Sequence, residues 1–237
     1  MTLLLLPNVL GDVRHHELFL PASVDKAVEK LEGLIAESES GGRRFLSRFK
    51  HAKKPHEIPL ALLNEHTPLA DLDFLLEPLK KGECWGLISD AGLPCIADPG
   101  SKLVSLARQR GIVIQAFNGP SSILLSLMLS GFSGQKFQFH GYLNKEIKNL
   151  KREIQILEKR SQEERSTQIF IETPYRNKAL LEHLLQILDD ETSLACAWDL
   201  TLNTQGILTQ KVAFWKKSPL PALEKRNAIF LVSREFI

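Results

Sequence analysis

Along most of the chain, short apolar runs alternate with stretches in which apolar positions recur every three or four residues. The first pattern predicts strands and the second amphipathic helices. Strands are expected near Leu3 to Leu6, Gly33 to Ala36, Trp85 to Ser89, Ile112 to Phe117, Gln168 to Glu172, Leu194 to Trp198, Ile207 to Phe214 and Ala228 to Val232. Helices are expected near Val24 to Leu31, Gly42 to Phe49, Leu69 to Leu79, Gly100 to Arg110, Ser122 to Leu129, Lys145 to Lys159 and Tyr175 to Leu188. Strand-helix alternation of this kind builds a largely parallel sheet with helices on both faces. After Leu194, three strand-like runs follow with little helix between them, so a mixed sheet is expected there. The small, polar, Gly-rich SGFSGQ of Ser130 to Gln135 is the natural boundary between two α/β domains, residues 1–133 and 134–237.

The composition fits that picture. Of 237 residues, 43% are apolar and 24% charged, and 30 Lys plus Arg nearly cancel 28 Asp plus Glu. This is a folded globular composition. No apolar run approaches the ~20 residues a bilayer span needs, and MTLLLLPNVLGDV lacks the basic leader of an export signal. Cytoplasmic residence without a membrane is therefore expected. Cys84, Cys95 and Cys196 are widely spaced and form no ligand-like cluster, so neither disulfides nor a metal site are expected, and each reads as a small buried hydrophobe.

The near-zero net charge hides an uneven distribution. Residues 1–42 hold seven acids against three bases, Arg14, Lys26 and Lys30. The stretch RRFLSRFKHAKK, Arg43 to Lys54, then carries six Lys or Arg and no acid. It reads as a nucleic-acid face interleaved with aromatics, or as a surface helix with its Phe and Leu in the core. A second basic stretch, Lys145 to Arg160, has six bases against three acids, with Ile147, Leu150, Ile154 and Leu157 spaced to share one helix face.

In an open parallel sheet, ligands bind outside the carboxyl ends of the strands. Three loops there carry suitable chemistry: Pro7-Asn8-Val9-Leu10-Gly11-Asp12, Asp90-Ala91-Gly92-Leu93-Pro94, and Asn118-Gly119-Pro120-Ser121-Ser122. Asp90 offers acceptors for ribose hydroxyls or an amino group, while Ala91 and Gly92 leave room for close approach. Ser121 and Ser122 stand where a helix begins and its first amides are free. Asp98-Pro99-Gly100 reads first as a helix start, with Asp98 as cap and Pro99 in first position. In the second domain, Thr173 and Pro174 read the same way, leaving Glu172 at a strand end and Arg176 one turn on, as substrate-handling groups or an internal ion pair. No phosphate-loop lysine, G-x-G-x-x-G or G-x-S-x-G occurs, so kinase, NAD-dehydrogenase and serine-hydrolase readings lack their signatures.

GLISDAGLPCIADPGSKLV (Gly86 to Val104), NGPSSILLSLMLSGF (Asn118 to Phe132), FQFHGYL (Phe137 to Leu143) and IFIETPYRNKALLEHL (Ile169 to Leu184) together resemble the tetrapyrrole methylase superfamily of S-adenosylmethionine (SAM) dependent methyltransferases. The likeness is strongest to the branch holding the small-subunit ribosomal RNA 2′-O-ribose methyltransferases. The resemblance implies two α/β domains with SAM in a cleft between them, and a homodimer. It implies SAM contacts from Pro7, Asp90, Ala91, Gly92, Leu93, Ser121 and Ser122, and it places Glu172 beside the same cleft. Departures concern the substrate side. The branch's E-D-T-R reads Glu37-Ser38-Glu39-Ser40 here, its R-E-L-T reads Trp198-Asp199-Leu200-Thr201, and a late Gly-Glu reads Arg226-Asn227. They point to a paralogous group within the branch.

The expected function is thus SAM-dependent methylation of RNA at a ribose hydroxyl of the small ribosomal subunit. Glu37 and Glu172 are the candidate bases, and Arg43, Arg44 and Arg176 the candidate substrate contacts. Two alternatives are methylation of a small molecule such as a tetrapyrrole, and a catalytically lapsed RNA- or ribosome-binding factor.

Overall fold

The computed structural model describes residues 2–13 and 15–234; Arg14, counted above among the bases of the leading segment, lies outside the described residues. The chain divides into two compact units, Met1–Ser121 and Ser122–Ile237.

The first unit runs β1 (Thr2–Leu5), α1 (Ala22–Val28), β2 (Gly33–Ala36), α2 (Glu39–Leu46), β3 (Leu60–Leu62), α3 (Leu72–Leu75), α4 (Glu77–Lys80), β4 (Cys84–Leu87), α5 (Ser101–Gln109) and β5 (Val113–Ala116). Its five strands form one sheet in the order β3-β2-β4-β1-β5, with every pairing parallel. All carboxyl ends therefore lie along one edge. Apolar side chains cover both faces: Leu4, Val24, Leu34, Phe45 and Ile58 belong to one cluster and Leu3, Ile35, Leu76, Trp85 and Leu103 to another. Burial on both faces explains why the strands read as continuous apolar runs rather than alternations.

The second unit runs α6 (Ser122–Ser130), β6 (Phe137–Tyr142), α7 (Ile147–Glu164), β7 (Thr167–Glu172), α8 (Asn177–Ile187), β8 (Ser193–Trp198), β9 (Gly206–Lys211), α9 (Val212–Trp215) and β10 (Ala228–Ser233). The strand order is β6-β7-β10-β8-β9, with β6 parallel to β7 and the other pairings antiparallel. This is the mixed sheet expected after Leu194. One packing device recurs in both units. Trp85 covers its sheet partner Gly33, and Trp198 covers Gly206; a Cβ at either glycine would lie 2.2 Å from the indole. Only the missing side chain lets the ring lie flat on the neighbouring strand.

Some expectations need correction. The helix expected over Leu69 to Leu79 is a 3-10 turn (Leu69–Asp71) followed by the one-turn helices α3 and α4. Pro78 lacks an N–H and crowds the carbonyl four residues earlier, so one continuous helix cannot form. The run Ile207 to Phe214 ends as a strand at Lys211, because Val212 N–H turns to the Thr192 carbonyl (2.9 Å) and buried Trp215 donates to the Leu194 carbonyl (2.8 Å). Two strands, β3 and β6, were not expected. The helix α6 packs on β8, β9 and β10 and groups with the second unit, so the contacts divide the chain ahead of α6, whereas the glycine-rich SGFSGQ lies behind it.

Candidate active site

Because the first sheet is all parallel, the loops leaving β1, β2, β4 and β5 meet at its carboxyl edge. Asn8, 2% exposed, is the tie. Its side-chain amide donates to the carbonyls of Ser89 and Asp90, both at 3.0 Å, and its backbone N–H donates to the Gly92 carbonyl at 2.7 Å. Its side-chain oxygen accepts from Val9 N–H at 2.9 Å. A buried amide with donors and acceptor satisfied locks two loops in one geometry. Gly119 packs against Pro7 so closely that a Cβ there would lie 2.0 Å from the ring. Gly92 has φ +70°, the left-handed region that favours glycine, with Leu10 and the Pro120 carbonyl beside it.

The loop after β2 supplies a partner that sequence reasoning passed over. Ser38 caps α2 by accepting from Gly41 N–H (3.0 Å), and its hydroxyl donates to the two Asp90 carboxylate oxygens (2.9 and 3.1 Å). Glu37 accepts from Asp90 N–H at 3.2 Å. The helix begins three residues before the expected Gly42 because Ser38 is its cap and because Gly41 sits against Asp90, where a Cβ would be 2.0 Å from Oδ1. The available signal was position: Ser38 follows a strand end just as Asp90 does.

Three carboxyl groups share this edge. Asp98 is pushed up from its ordinary 3.8 to about 6, first by burial and then by the charges of Glu37 and Asp90, with the Ser89 hydroxyl opposing. Asp98 does not cap α5, as the sequence suggested. Gly100, at φ 134°, holds the cap position and the helix starts at Ser101, which leaves the Asp98 carboxyl facing the other acids. Of the candidate residues, Pro7, Glu37, Asp90, Ala91, Gly92 and Leu93 thus belong to one cluster of loops, with Ser121 beside Pro120. Ser122 is the first residue of α6, in the second unit.

Within the second unit, Glu172 stands buried at the end of β7. It accepts from Thr173 N–H (2.7 Å) and pairs with Arg176 (3.1 Å). Thr173 and Pro174 do not start the helix: the Thr173 carbonyl accepts from Arg176 N–H in a turn, and α8 begins at Asn177. Two of the three segments named as departing from the ribosomal branch meet. Arg226 pairs with Asp199 (3.0 Å), the Arg226 carbonyl accepts from the fully buried Asn177 amide (2.7 Å), and Asp199 also accepts from Thr204 (2.9 Å).

The apolar residues and the first base of the first basic stretch are structural. Phe45, Leu46 and Phe49 are buried, and Arg43 donates to the carbonyls of Pro55 (2.6 Å) and Ile58 (2.7 Å). Arg44 is exposed. In α7, Leu150, Ile154 and Leu157 are buried as expected, but Ile147 is 64% exposed because it opens the helix before the packed turns. Burial pushes the Cys95 thiol up to about 11 and raises those of Cys84 and Cys196, so none is poised as a thiolate. Among the described residues no His, Cys, Asp and Glu grouping could hold a metal, and no helix is long and apolar enough to cross a membrane.

An all-parallel sheet with polar loops gathered at its carboxyl edge, followed by a unit on a mixed sheet, defines a two-unit α/β protein with its candidate site on strand-end loops. The profile of the Tetrapyrrole (Corrin/Porphyrin) Methylases matches residues 17–213, and the chain belongs to that family of methyltransferases. Similar proteins include three named ribosomal RNA small subunit methyltransferase I. That of Thermotoga maritima is 31% identical over 200 residues, covering 82% of this chain and 85% of the relative. That of Bacillus subtilis is 37% identical over 134 residues, 56% of this chain and 44% of the relative. That of Vibrio cholerae is 30% identical over 198 residues, 84% of this chain and 63% of the relative. The matches to the Bacillus and Vibrio proteins thus span less than two thirds of those proteins' own length. Among solved structures, the methyltransferase CobJ (17% identity, TM-score 0.63, covering 98% of this chain and 92% of that one) and diphthine synthase (14%, 0.61, 98% and 90%) share the fold.

Proposed function

We propose that the chain is a SAM-dependent methyltransferase that methylates small-subunit ribosomal RNA at a ribose 2′-hydroxyl, working as a cytoplasmic homodimer. The observation that carries the SAM assignment is the carboxyl-edge cluster. SAM joins a sulfonium, an ammonium and a carboxylate to a nucleoside, for a net positive charge, and the cluster offers three carboxyl groups, an exposed Ala91, and loops already locked by Asn8. Asp90 is exposed, and with one Ser38 hydroxyl on it retains acceptor capacity for ribose hydroxyls. Pro7, Leu93, Ser121 and Ser122 complete the proposed cofactor contacts. SAM supplies a methyl group already activated on sulfur. What falls to the chain is to align the acceptor and exclude water, worth several kcal/mol of barrier. Glu37 and Glu172 are the groups proposed to take the hydroxyl proton.

The acceptor assignment rests on the ribosomal relatives, supported by exposed bases at Arg44 and beyond; Arg176, held by Glu172, is a proposed substrate contact. A tetrapyrrole acceptor has less behind it, since the solved porphyrin-directed relatives, such as uroporphyrin-III-C-methyltransferase from Thermus thermophilus at 16% identity, share the fold alone. The dimer draws support from exposed apolar residues on α6, Met128 and Leu129. Sedimentation at the mass of one protomer would remove it.

Calorimetry tests the site. Wild type is expected to bind SAM at micromolar concentration and Asp90→Ala to lose at least tenfold in affinity with an unchanged unfolding midpoint. Equal affinity of the two would remove Asp90 from the cofactor site.

A further inference from the structure

The helix α7 has its charges the wrong way round for its own stability. Cations are favourable near a helix C-terminus and anions near the N-terminus. Here Lys148, Lys151 and Arg152 outnumber Glu153 in the N-terminal half, just after Lys145 and the capping-position Glu146, whereas Glu158, Glu163 and Glu164 outnumber Lys159 and Arg160 in the C-terminal half, and the first turn holds no acid.

These bases are also left without ion pairs. Lys159 pairs with Glu163 and Arg160 with Glu164, but Lys145, Lys148, Lys151 and Arg152, all exposed, pair with no acid among the described residues. At 3.6 residues per turn, Lys148, Arg152 and Lys159 form one stripe about 16 Å long, with Lys151 on its flank. It lies opposite the buried Leu150, Ile154, Leu157 and Ser161. The solvent face of α7 is therefore cationic over its first half, with Gln155, exposed Ile156 and the acid Glu163 following, and exposed Tyr142 ends the strand that precedes it. Of these four cations only Lys159 has an acid four residues on, Glu163; Lys148, Lys151 and Arg152 are followed at that spacing by Arg152, Gln155 and Ile156, where a helix selected for solubility alone would place acids to gain i,i+4 pairs.

We propose that this stripe is an RNA-binding surface that takes the phosphodiester backbone of the substrate. The proposal rests on the RNA reading above and adds a second contact region, apart from the Arg43 to Lys54 stretch, where Arg43 is already engaged with backbone carbonyls. The spacing of the row, and the lack of ion pairs at Lys148, Lys151 and Arg152, suit a backbone of regularly repeated charge, with exposed Tyr142 offering a face on which a base can stack.

The test uses the full chain and a fluorescein-labelled fragment of small-subunit ribosomal RNA, titrated at several salt concentrations. It compares wild type, the triple variant Lys148→Gln/Lys151→Gln/Arg152→Gln, and a charge-matched control, Lys26→Gln/Lys30→Gln/Arg108→Gln, whose three sites are exposed on the first unit. The triple variant is expected to lose at least tenfold in RNA affinity. Its slope of log affinity against log salt should be shallower by about 2, at about 0.7 per lost phosphate contact with a single strand. The control should bind as wild type, all three should bind SAM equally, and the triple variant's unfolding midpoint should be unchanged or higher, since cations leave the unfavourable end of α7. Wild-type RNA binding that the triple variant matches in affinity and slope, or that the control weakens equally, overturns the stripe alone. Failure of wild type to bind any RNA overturns both readings. Binding to intact subunits with none to the naked fragment overturns the stripe in favour of a ribosomal protein partner.

Discussion

Asp98 carries an electrostatic cost that depends on pH. Burial and the neighbouring Glu37 and Asp90 hold its carboxyl at about 6, above its ordinary 3.8. A carboxyl raised on folding contributes stability when protonated, at low pH, and that contribution is lost as pH rises from about 3.8 through about 6. Asp98→Asn, which cannot ionise, should therefore match wild type in unfolding midpoint below pH 4 and exceed it above pH 7. A midpoint difference that is constant across that range would show that the charge is not the cause. The sequence placed Asp90 in a strand-end loop, whereas Glu37 came from the resemblance of Glu37 to Ser40 to the E-D-T-R segment. It did not show that Asp98 is held among them, because D-P-G is also an ordinary helix start, and only the placement of Gly100 as cap frees the carboxyl.

Among the elements, α2 illustrates how much of the site is built by packing. Two adjacent glycines in ESGGRRFL argue against a helix by propensity, yet the helix runs through them because Ser38 caps it and Gly41 makes room for Asp90. Gly41→Ala should consequently separate stability from binding. The substitution raises helix propensity by up to about 1 kcal/mol, which offsets the disturbance where its Cβ meets the exposed, movable Asp90 carboxylate and, at 2.7 Å, the Ser38 hydroxyl that caps the helix. The unfolding midpoint should hold or rise while SAM affinity falls at least fivefold, as calorimetry would read; an unchanged affinity would mean that Asp90 need not keep its position against Ser38. The central strands were legible because burial on both faces leaves unbroken apolar runs. β3 was missed because Leu60–Leu62 is only three residues long beside Pro59, and β6 because its exposed edge position leaves FQFHGY without a buried run. The pairing of Asp199 with Arg226 brings together segments 27 residues apart, a contact no local pattern encodes.

For the molecule as a whole, the small net charge conceals a division of labour: acids gathered at the carboxyl edge of the first sheet, where a cationic cofactor is proposed to sit, and cations along α7, where a polyanion is. Two α/β units were legible from the alternation of periods. Where one gives way to the other was not, since α6 is apolar on most sides and its grouping with β8, β9 and β10 is a tertiary fact. Methyl transfer from SAM to a ribose hydroxyl is the proposed reaction on which the rest depends. The most direct measurement incubates the protein with methyl-labelled SAM and small ribosomal subunits from cells lacking it, then digests the RNA with alkali. A methylated 2′-oxygen cannot attack the adjacent phosphodiester, so the account predicts label in an alkali-resistant dinucleotide, absent with Asp90→Ala. Label confined to mononucleotides or to protein, or no transfer by protein that binds SAM, would contradict it.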